Sequence, residues 1–137
     1  MNKVLLVEDD KHFRTLVKRL LERKFFSVVT EAEDGVQGLE ALKKELPNLV
    51  FLDIDMPNMN GIQFLEEARK INRLLPIVMM SNHDESEYVK EAISLGIEEY
   101  LVKTPYVTQL GSRIETILKK FDPDLRERLR FSTVFKT

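Results

Sequence analysis

The apolar residues of this chain fall into five short runs that alternate with longer amphipathic segments. Each run is rich in branched residues and is followed by a polar stretch, so we interpret the runs as strands, at residues 4–7, 26–30, 49–54, 77–80 and 100–102. Most of them are continuously apolar, which is typical of parallel strands covered on both faces. The second run is more mixed and is predicted to be an edge strand.

The segments between the runs carry apolar residues three or four positions apart, which predicts a helix with one buried face after each strand. The apolar positions of the five helices are Phe13, Leu16, Val17, Leu20 and Leu21; Val36, Leu39, Leu42 and Leu46; Ile62, Leu65 and Ala68; Val89, Ala92 and Ile93; and Leu110, Ile114, Ile117, Leu118 and Phe121. Right-handed crossovers then favour a doubly wound α/β fold. We expect a five-stranded parallel sheet in the order 2-1-3-4-5, with helices on both faces.

Composition narrows the classes of function. A chain of 137 residues with 43% hydrophobic residues suits one globular domain, and the absence of cysteine removes disulfides and thiol chemistry. A net charge of -2 offers no bulk attraction to nucleic acid, so we do not expect this chain to bind it directly. No apolar run approaches the ~20 residues of a spanning helix, and the first residues do not follow the pattern of a signal peptide. The sequence therefore predicts a cytoplasmic protein with no membrane partner.

Acidic residues cluster where two of the predicted strands end. Glu8, Asp9 and Asp10 follow the first strand and Asp53 ends the third, and these strands would be neighbours in the expected order. Carboxylates that share a pocket repel one another, and a hard cation with oxygen ligands, such as Mg²⁺, relieves the repulsion. The same acids could also serve only as favourable charges at helix N-termini. On these residues alone both interpretations stay open.

Two further polar residues end strands at the same edge of the sheet. Ser81 follows the fourth strand and Lys103 follows the fifth. A phosphorylated carboxylate needs a cation and hydrogen-bond donors on its phosphoryl oxygens, and these side chains offer one of each. Each residue is ordinary by itself, and their joint position favours a phosphoryl site.

Four segments stand out in chain order: VLLVEDD at 4–10, EDG at 33–35, LDIDMPNMNG at 52–61 and GIEEYLVK at 96–103. In composition and spacing this set resembles the receiver domains of bacterial two-component response regulators, over about residues 2 to 121. The resemblance implies a flavodoxin-like three-layer sandwich, with a receiver domain at 1–121 and a C-terminal tail or short extra helix at 122–137.

The resemblance also implies a function as a phosphoryl-accepting switch rather than a dedicated enzyme. Asp53 matches the aspartate that a sensor histidine kinase or phosphotransfer protein phosphorylates. Glu8 and Asp9 match the acidic pair that holds Mg²⁺ together with Asp53, and Asp55 matches the residue whose backbone carbonyl completes the coordination. Lys103 matches the lysine that pairs with the phosphoryl oxygens. Such a domain promotes its own phosphorylation and dephosphorylation.

Two residues match the positions that report phosphorylation in this family. Ser81 matches the switch hydroxyl, and Tyr100 matches the aromatic residue that turns inward; the competing interpretation of Tyr100, which the resemblance makes the weaker one, is an ordinary strand aromatic packed against the last helix. The resemblance places the output on the face of the fourth helix, fifth strand and fifth helix. The partner there would be a downstream protein, an output domain or a second copy of the chain.

The chain departs from the family pattern after the lysine, where Thr104 replaces the usual proline and Pro105 follows. A cis bond before a residue other than proline costs ~3 to 4 kcal/mol, so we expect the Lys103–Thr104 bond to be trans, or the isomerism to move to Thr104–Pro105. This departure keeps open a receiver-like scaffold that works without phosphorylation. A second alternative is a haloacid-dehalogenase-like phosphatase, since Asp53-Ile54-Asp55 resembles its nucleophile and acid pair, but the chain lacks room for that family's cap.

Overall fold

The computed structural model describes residues 3–25, 27–54, 56, 58–82, 87–104, 106–122 and 124–125, and for residues 87–89 it describes the backbone alone. The strands are β1 Lys3–Val7, β2 Val28–Ala32, β3 Leu49–Asp53, β4 Ile77–Ser81 and β5 Glu99–Val102. The helices are α1 Lys11–Arg19, α2 Gly35–Glu45, α3 Gly61–Ile71, α4 Glu87–Ser94 and α5 Val107–Phe121, and a π-helical segment, Leu20–Lys24, continues α1. Strand and helix alternate five times, as the apolar pattern predicts.

All five strands are parallel, in the order β2-β1-β3-β4-β5. The predicted doubly wound fold and its strand order are confirmed. β3 and β4 are buried along their whole length, whereas β2 is partly exposed, as expected of an edge strand.

The second strand begins two residues later than predicted. The run that suggested residues 26–30 follows the π-helical segment, and the strand itself is Val28–Ala32. Phe25 is fully buried in the core, and the Ser27 amide donates to the Leu21 carbonyl at 2.9 Å. Phe25 and Ser27 therefore extend the packing and hydrogen bonding of the first helix beyond Lys24.

Two apolar layers sandwich the sheet. On one face Leu5, Val7, Val50 and Leu52 pack with side chains of α2, α3 and α4; on the other Val4, Leu6 and Phe51 pack with side chains of α1 and α5. Alternate residues of one strand thus enter opposite cores, as the period of a strand requires. This arrangement explains why the central strands are apolar at every position.

The second core continues past the end of α5. Leu125 is completely buried in it, together with Leu21, Phe25 and Leu118, and Asp122 is also buried. Residues 126–137 lie outside the described part of the chain, and the division into a domain at 1–121 and a tail at 122–137 stays a prediction. At least Leu125, however, packs as part of the domain.

Arg69 of α3 joins its helix to the loop that leads into β5. Its guanidinium donates to the carbonyl oxygens of Leu75 at 2.7 Å, Gly96 at 2.7 Å and Leu95 at 3.2 Å. One side chain thereby satisfies backbone acceptors of two loops. The C-terminal end of α4 is held in place by these bonds. Among the helices in the described ranges, none is long and apolar enough to cross a membrane.

Candidate functional site

The register of the sheet brings the predicted site residues to one edge. Val7 of β1 is the partner of Leu52, Asp53 of β3 is the partner of Met80, and Ser81 of β4 is the partner of Val102. Residues at and just after these positions therefore lie side by side at the carboxyl ends of the strands, where open α/β sheets bind ligands.

Lys103 forms a buried ion-pair group with two acids at this edge. Its ammonium lies 2.6 Å from Glu8 Oε1 and 3.2 Å from Asp53 Oδ1. Glu8 is 0% and Asp53 1% exposed, so neither carboxylate is compensated by bulk water. Buried charges persist only when they are paired, and one lysine here serves two carboxylates.

A third acid, Asp9, joins the group from the solvent side. Carboxylate oxygens of Glu8, Asp9 and Asp53 lie within 4.8 Å of one another, and Asp9 is exposed whereas the other two are buried. The cluster is thus closed by the protein on one side and accessible on the other. An ion or a phosphoryl group could approach from the side of Asp9.

The electrostatics of the cluster are unbalanced without a further cation. Burial raises the pKa of Asp53 to about 9, helped by hydrogen bonding with Glu8 and Asp9 and by the charge of Glu8, and opposed by Lys103. Burial lowers the pKa of Lys103, but Glu8 and Asp53 outweigh it and the net pKa is raised. A divalent cation in the cluster would oppose the rise in the pKa of Asp53, because its charge favours the ionised carboxylates.

The residues fit a small hard cation. Three carboxylates supply oxygen ligands close together, and Glu8 Oε2 is buried with no hydrogen-bond donor among the described residues. Mg²⁺ favours a few carboxylates and leaves positions for water or phosphate oxygens. Asp55, whose carbonyl was predicted to complete the coordination, lies outside the described residues.

The loop after β3 passes unusually close to the first turn of α3. A Cβ added at Gly61 would lie 2.5 Å from Ile54 Cα and 2.8 Å from the Asp53 carbonyl oxygen, so no larger residue fits without moving the backbone. The Gly61 amide also donates to the Ile54 carbonyl at 2.9 Å. Gly61, the last residue of the LDIDMPNMNG segment, thus fixes the backbone of Ile54, the residue that follows Asp53.

The loop after Lys103 is closed by the residue that departs from the family pattern. Thr104 is buried; its Oγ1 accepts from the Tyr106 amide at 3.2 Å and donates to Gln109 Oε1 at 3.3 Å. The Lys103–Thr104 bond is trans, as are all peptide bonds in the described residues. The Lys103 amide donates to the Ser81 carbonyl at 2.8 Å, so the backbone of Lys103 is fixed without the usual proline. The Thr104–Pro105 bond is outside the described residues.

The two predicted switch residues differ in burial. Ser81 is 1% exposed at the end of β4, next to the strand that carries Asp53. Tyr100 is 37% exposed on β5 and borders a surface cavity of ≈ 420 Å³ together with Arg113 and Ile117 of α5. In this structure the tyrosine lies on the outer face rather than in the site, and the switch roles of both residues stay predictions.

Sequence reasoning missed two neighbours of the site in α1. The ring of Phe13 lies 5.2 Å from Lys103 Nζ, and Arg14 Nη1 donates to the Glu8 carbonyl oxygen at 2.8 Å. Phe13 was assigned only to the apolar face of the helix, and nothing in the local pattern distinguished Arg14. Phe13 also lines a groove of ≈ 320 Å³ beside the site, with His12 and Thr104 among its other walls. His83, the other histidine, lies outside the described residues.

Comparison with known proteins agrees with this geometry. A family model described as the response regulator receiver domain matches residues 4–115. The chain belongs to this receiver family. Its members are signalling switches of two-component systems, so the predicted family is confirmed, and the assignment goes against the haloacid-dehalogenase-like alternative.

Individual relatives of this receiver differ in length. The chain is 37% identical to the chemotaxis protein CheY of Bacillus subtilis over 102 residues, which cover 74% of the chain and 85% of the relative. It is 37% identical to the transcriptional regulatory protein CpxR of Escherichia coli over 120 residues, which cover 88% of the chain but only 50% of the relative. The receiver thus spans about half the length of such regulators.

A solved structure gives the same fold. The chemotaxis protein CheY4 of Vibrio cholerae superimposes with a TM-score of 0.80 at 27% identity, over 89% of this receiver and 99% of that chain. The two chains therefore share one five-stranded parallel architecture along nearly the whole length of the solved chain.

Proposed function

We propose that this receiver is a phosphoryl-accepting switch, phosphorylated on Asp53 in the presence of Mg²⁺ by a sensor histidine kinase or a phosphotransfer protein. The observation that carries the proposal is the buried group in which Lys103 pairs with both Glu8 and Asp53, with Asp9 at its open side. A buried acid beside two further acids is electrostatically costly, and such arrangements are concentrated at functional sites.

The chemistry of transfer follows from these positions. An oxygen of the Asp53 carboxylate attacks the phosphorus, the bond from phosphorus to the donor's histidine nitrogen breaks, and an acyl phosphate forms. Mg²⁺, when bound by Glu8, Asp9 and Asp53, would supply positive charge to the phosphoryl oxygens and offset the repulsion among the acids. Lys103 adds a second positive charge from the side of β5.

Lys103 is suited to follow the negative charge during the reaction. Before transfer its ammonium lies 3.2 Å from Asp53 Oδ1. Formation of the acyl phosphate moves negative charge from that carboxylate to the phosphoryl oxygens, and an ammonium on a flexible stem can shift with it. The pair with Glu8 at 2.6 Å keeps the lysine in the site meanwhile.

We propose that the output lies on the face formed by α4, β5 and α5. Ser81 would move toward the phosphoryl group, Tyr100 would turn inward from its exposed position, and the surface around Arg113 would change shape. A shift of a few kcal/mol suffices for such a two-state change. A downstream protein, an output domain or a second receiver would bind there, and we place the whole exchange in the cytoplasm.

Intact mass after incubation with a small phosphodonor tests the proposal. The wild type should gain one phosphoryl group with Mg²⁺ and none with chelator, and Asp53→Asn should gain none in either case. Asp34→Asn is the matched control, because Asp34 is an acid that caps α2 outside the site, and it should behave as the wild type. A wild type that gains no phosphoryl group under any condition would contradict the switch and favour the phosphorylation-independent scaffold.

A further inference from the structure

Arg14 of α1 is a buried cation with three polar contacts. Its side chain is only 9% exposed; Nε lies 3.2 Å from Glu31 Oε1, and Nη2 lies 3.8 Å from Glu33 Oε1. The remaining nitrogen, Nη1, donates to the backbone carbonyl of Glu8 at 2.8 Å. The guanidinium therefore connects the end of β2 to the loop that carries two of the site's acids.

Two hydrogen bonds fix the backbone of Glu8, one at its amide and one at its carbonyl. Its amide donates to the Ala32 carbonyl at 3.0 Å, and its carbonyl accepts from Arg14. The loop then turns directly into α1, whose first turn is capped by the Asp10 side chain on the amides of His12 and Phe13. Asp9 lies between these two fixed points, so its position depends on both.

Arg14 does not pair with the carboxylates of the acidic cluster, so these carboxylates stay available to a metal ion. Its carboxylate partners are Glu31 and Glu33, which lie outside the acidic cluster, and its contact with Glu8 is to the backbone. Lys103 already pairs with the Glu8 side chain, and a second protein cation on Glu8 or Asp9 would compete with a metal. Arg14 holds the loop without occupying its ligands.

We propose that Arg14 is a positioning residue that preorganises Glu8 and Asp9 for a divalent cation. The proposal rests on the proposed function and deepens it. In the ion-free protein the carboxylates of Glu8, Asp9 and Asp53 repel one another within 4.8 Å, which favours opening of the loop between β1 and α1. The bond from Arg14 to Glu8 opposes that opening, so less ordering is needed when the ion binds.

Lys18 provides a matched control on the same helix. Its ammonium pairs with Glu31 Oε2 at 3.2 Å, so it shares a carboxylate partner with Arg14. It lies one helical turn further from the loop than Arg14 does. Loss of Lys18 removes a positive charge and an ion pair of Glu31 but leaves the bond from Arg14 to Glu8 in place. A second control, Leu125→Ala, should destabilise the core at a residue outside the acidic cluster and the loop between β1 and α1.

Calorimetric titration with Mg²⁺ at neutral pH tests the proposal on wild type, Arg14→Met, Arg14→Lys, Lys18→Met and Leu125→Ala. We expect Arg14→Met to raise the Kd for Mg²⁺ about tenfold or more, in line with the loss of residues that orient metal ligands. Arg14→Lys keeps the charge but loses the planar guanidinium and its several donors, and should give a smaller increase in the Kd. The two controls should stay within about twofold of the wild type.

Two results would overturn the inference. One is a Kd for Mg²⁺ in Arg14→Met that equals the wild-type value. The other is a loss of affinity in Leu125→Ala as large as that in Arg14→Met, which would show that lowered stability alone weakens binding. If Arg14→Met does not fold, as judged by circular dichroism, Arg14→Lys decides by the same criterion. A wild type that binds no Mg²⁺ would contradict the proposed function itself, whereas a wild type that binds while Arg14→Met is unaffected contradicts only the role of Arg14.

Discussion

The acidic edge of the sheet and the β5–α5 face of this receiver are built in opposite ways. At the edge Glu8 and Asp53 are at most 1% exposed and share one lysine. On the β5–α5 face Tyr100 is 37% exposed, and the nearby pair of Lys120 and Glu99, at 2.7 Å, is in contact with solvent. Charges at the edge depend on one another, because removal of one leaves another buried without compensation. The exposed pair on the face contributes little, so its loss should cost little.

Removal of Lys103 should have the largest effect of any change outside Asp53. In the proposed mechanism Lys103→Met takes away the cation that would stabilise the transferring phosphoryl group, and loss of one such group costs about a hundredfold or more in rate. The rate of phosphorylation by a small donor measures the effect. Lys120→Met, which removes an equal charge from the exposed pair, should leave the rate unchanged. Equal losses in both variants would contradict the contrast between edge and face.

The contribution of Asp53 to the stability of the ion-free protein should decline as the pH rises from about 4 to about 9. Burial and the neighbouring acids raise the folded-state pKa of Asp53 to about 9, well above that of an unfolded aspartate. The native state therefore binds this proton more tightly, and its contribution is complete below the unfolded pKa and lost as the pH climbs through the folded one. Thermal unfolding in chelator should show a falling Tm, with a smaller fall in Asp53→Asn. An equal fall of Tm with pH in both proteins would mean that a group other than Asp53 binds the proton.

Leu125→Ala should lower the free energy of unfolding by about 2 to 5 kcal/mol, as expected for a fully buried leucine. Leu125 packs beneath α1 and α5, away from the acidic edge. Urea denaturation measures the loss, and Leu74→Ala, at a leucine that is 86% exposed, is the control. The folded variant should still be phosphorylated at the normal rate. Unchanged stability would mean that the domain ends before this residue.

Phe13→Leu should slow phosphorylation about fivefold. The ring lies 5.2 Å from Lys103 Nζ, and a cation over an aromatic face gains ~0.5 to 2 kcal/mol depending on its exposure. Leucine keeps the apolar contact but not the attraction. Phe13→Tyr retains the ring and should be close to wild type; if tyrosine and leucine slow the reaction equally, the contact with Lys103 does not matter.

Tyr100→Ala should have the smallest effect on the chemistry. Its ring lies on the outer face, so the rate of phosphorylation should stay within about twofold of the wild type. Association that depends on phosphorylation, measured by analytical ultracentrifugation or partner binding, should be weakened. A variant that is phosphorylated slowly but associates normally would contradict the proposal that the acidic edge carries the chemistry and that Tyr100 contributes to association.

The sequence predicts four strands closely because buried parallel strands are apolar at every position. The second strand is shifted because the π-helical segment and the buried Phe25 after it extend the first helix, and a buried apolar residue there gives the same sequence signal as one in a strand. The acids and Lys103 could be predicted because parallel strands end at a common edge. Arg14 could not, because its contacts are with the Glu8 backbone carbonyl, which no residue type marks, and with Glu31, seventeen positions away, and both meet it only in the folded chain.

The most direct test of the central claim is to locate the phosphoryl group chemically. Borohydride reduces an acyl phosphate to an alcohol, and peptide mass spectrometry then identifies the reduced residue. After treatment with phosphodonor and Mg²⁺, we expect reduction at Asp53 alone, and none when chelator is present. Reduction at Asp9, Asp10 or another acid, or an equal yield without Mg²⁺, would contradict the account of Asp53 as the acceptor in a metal-dependent site.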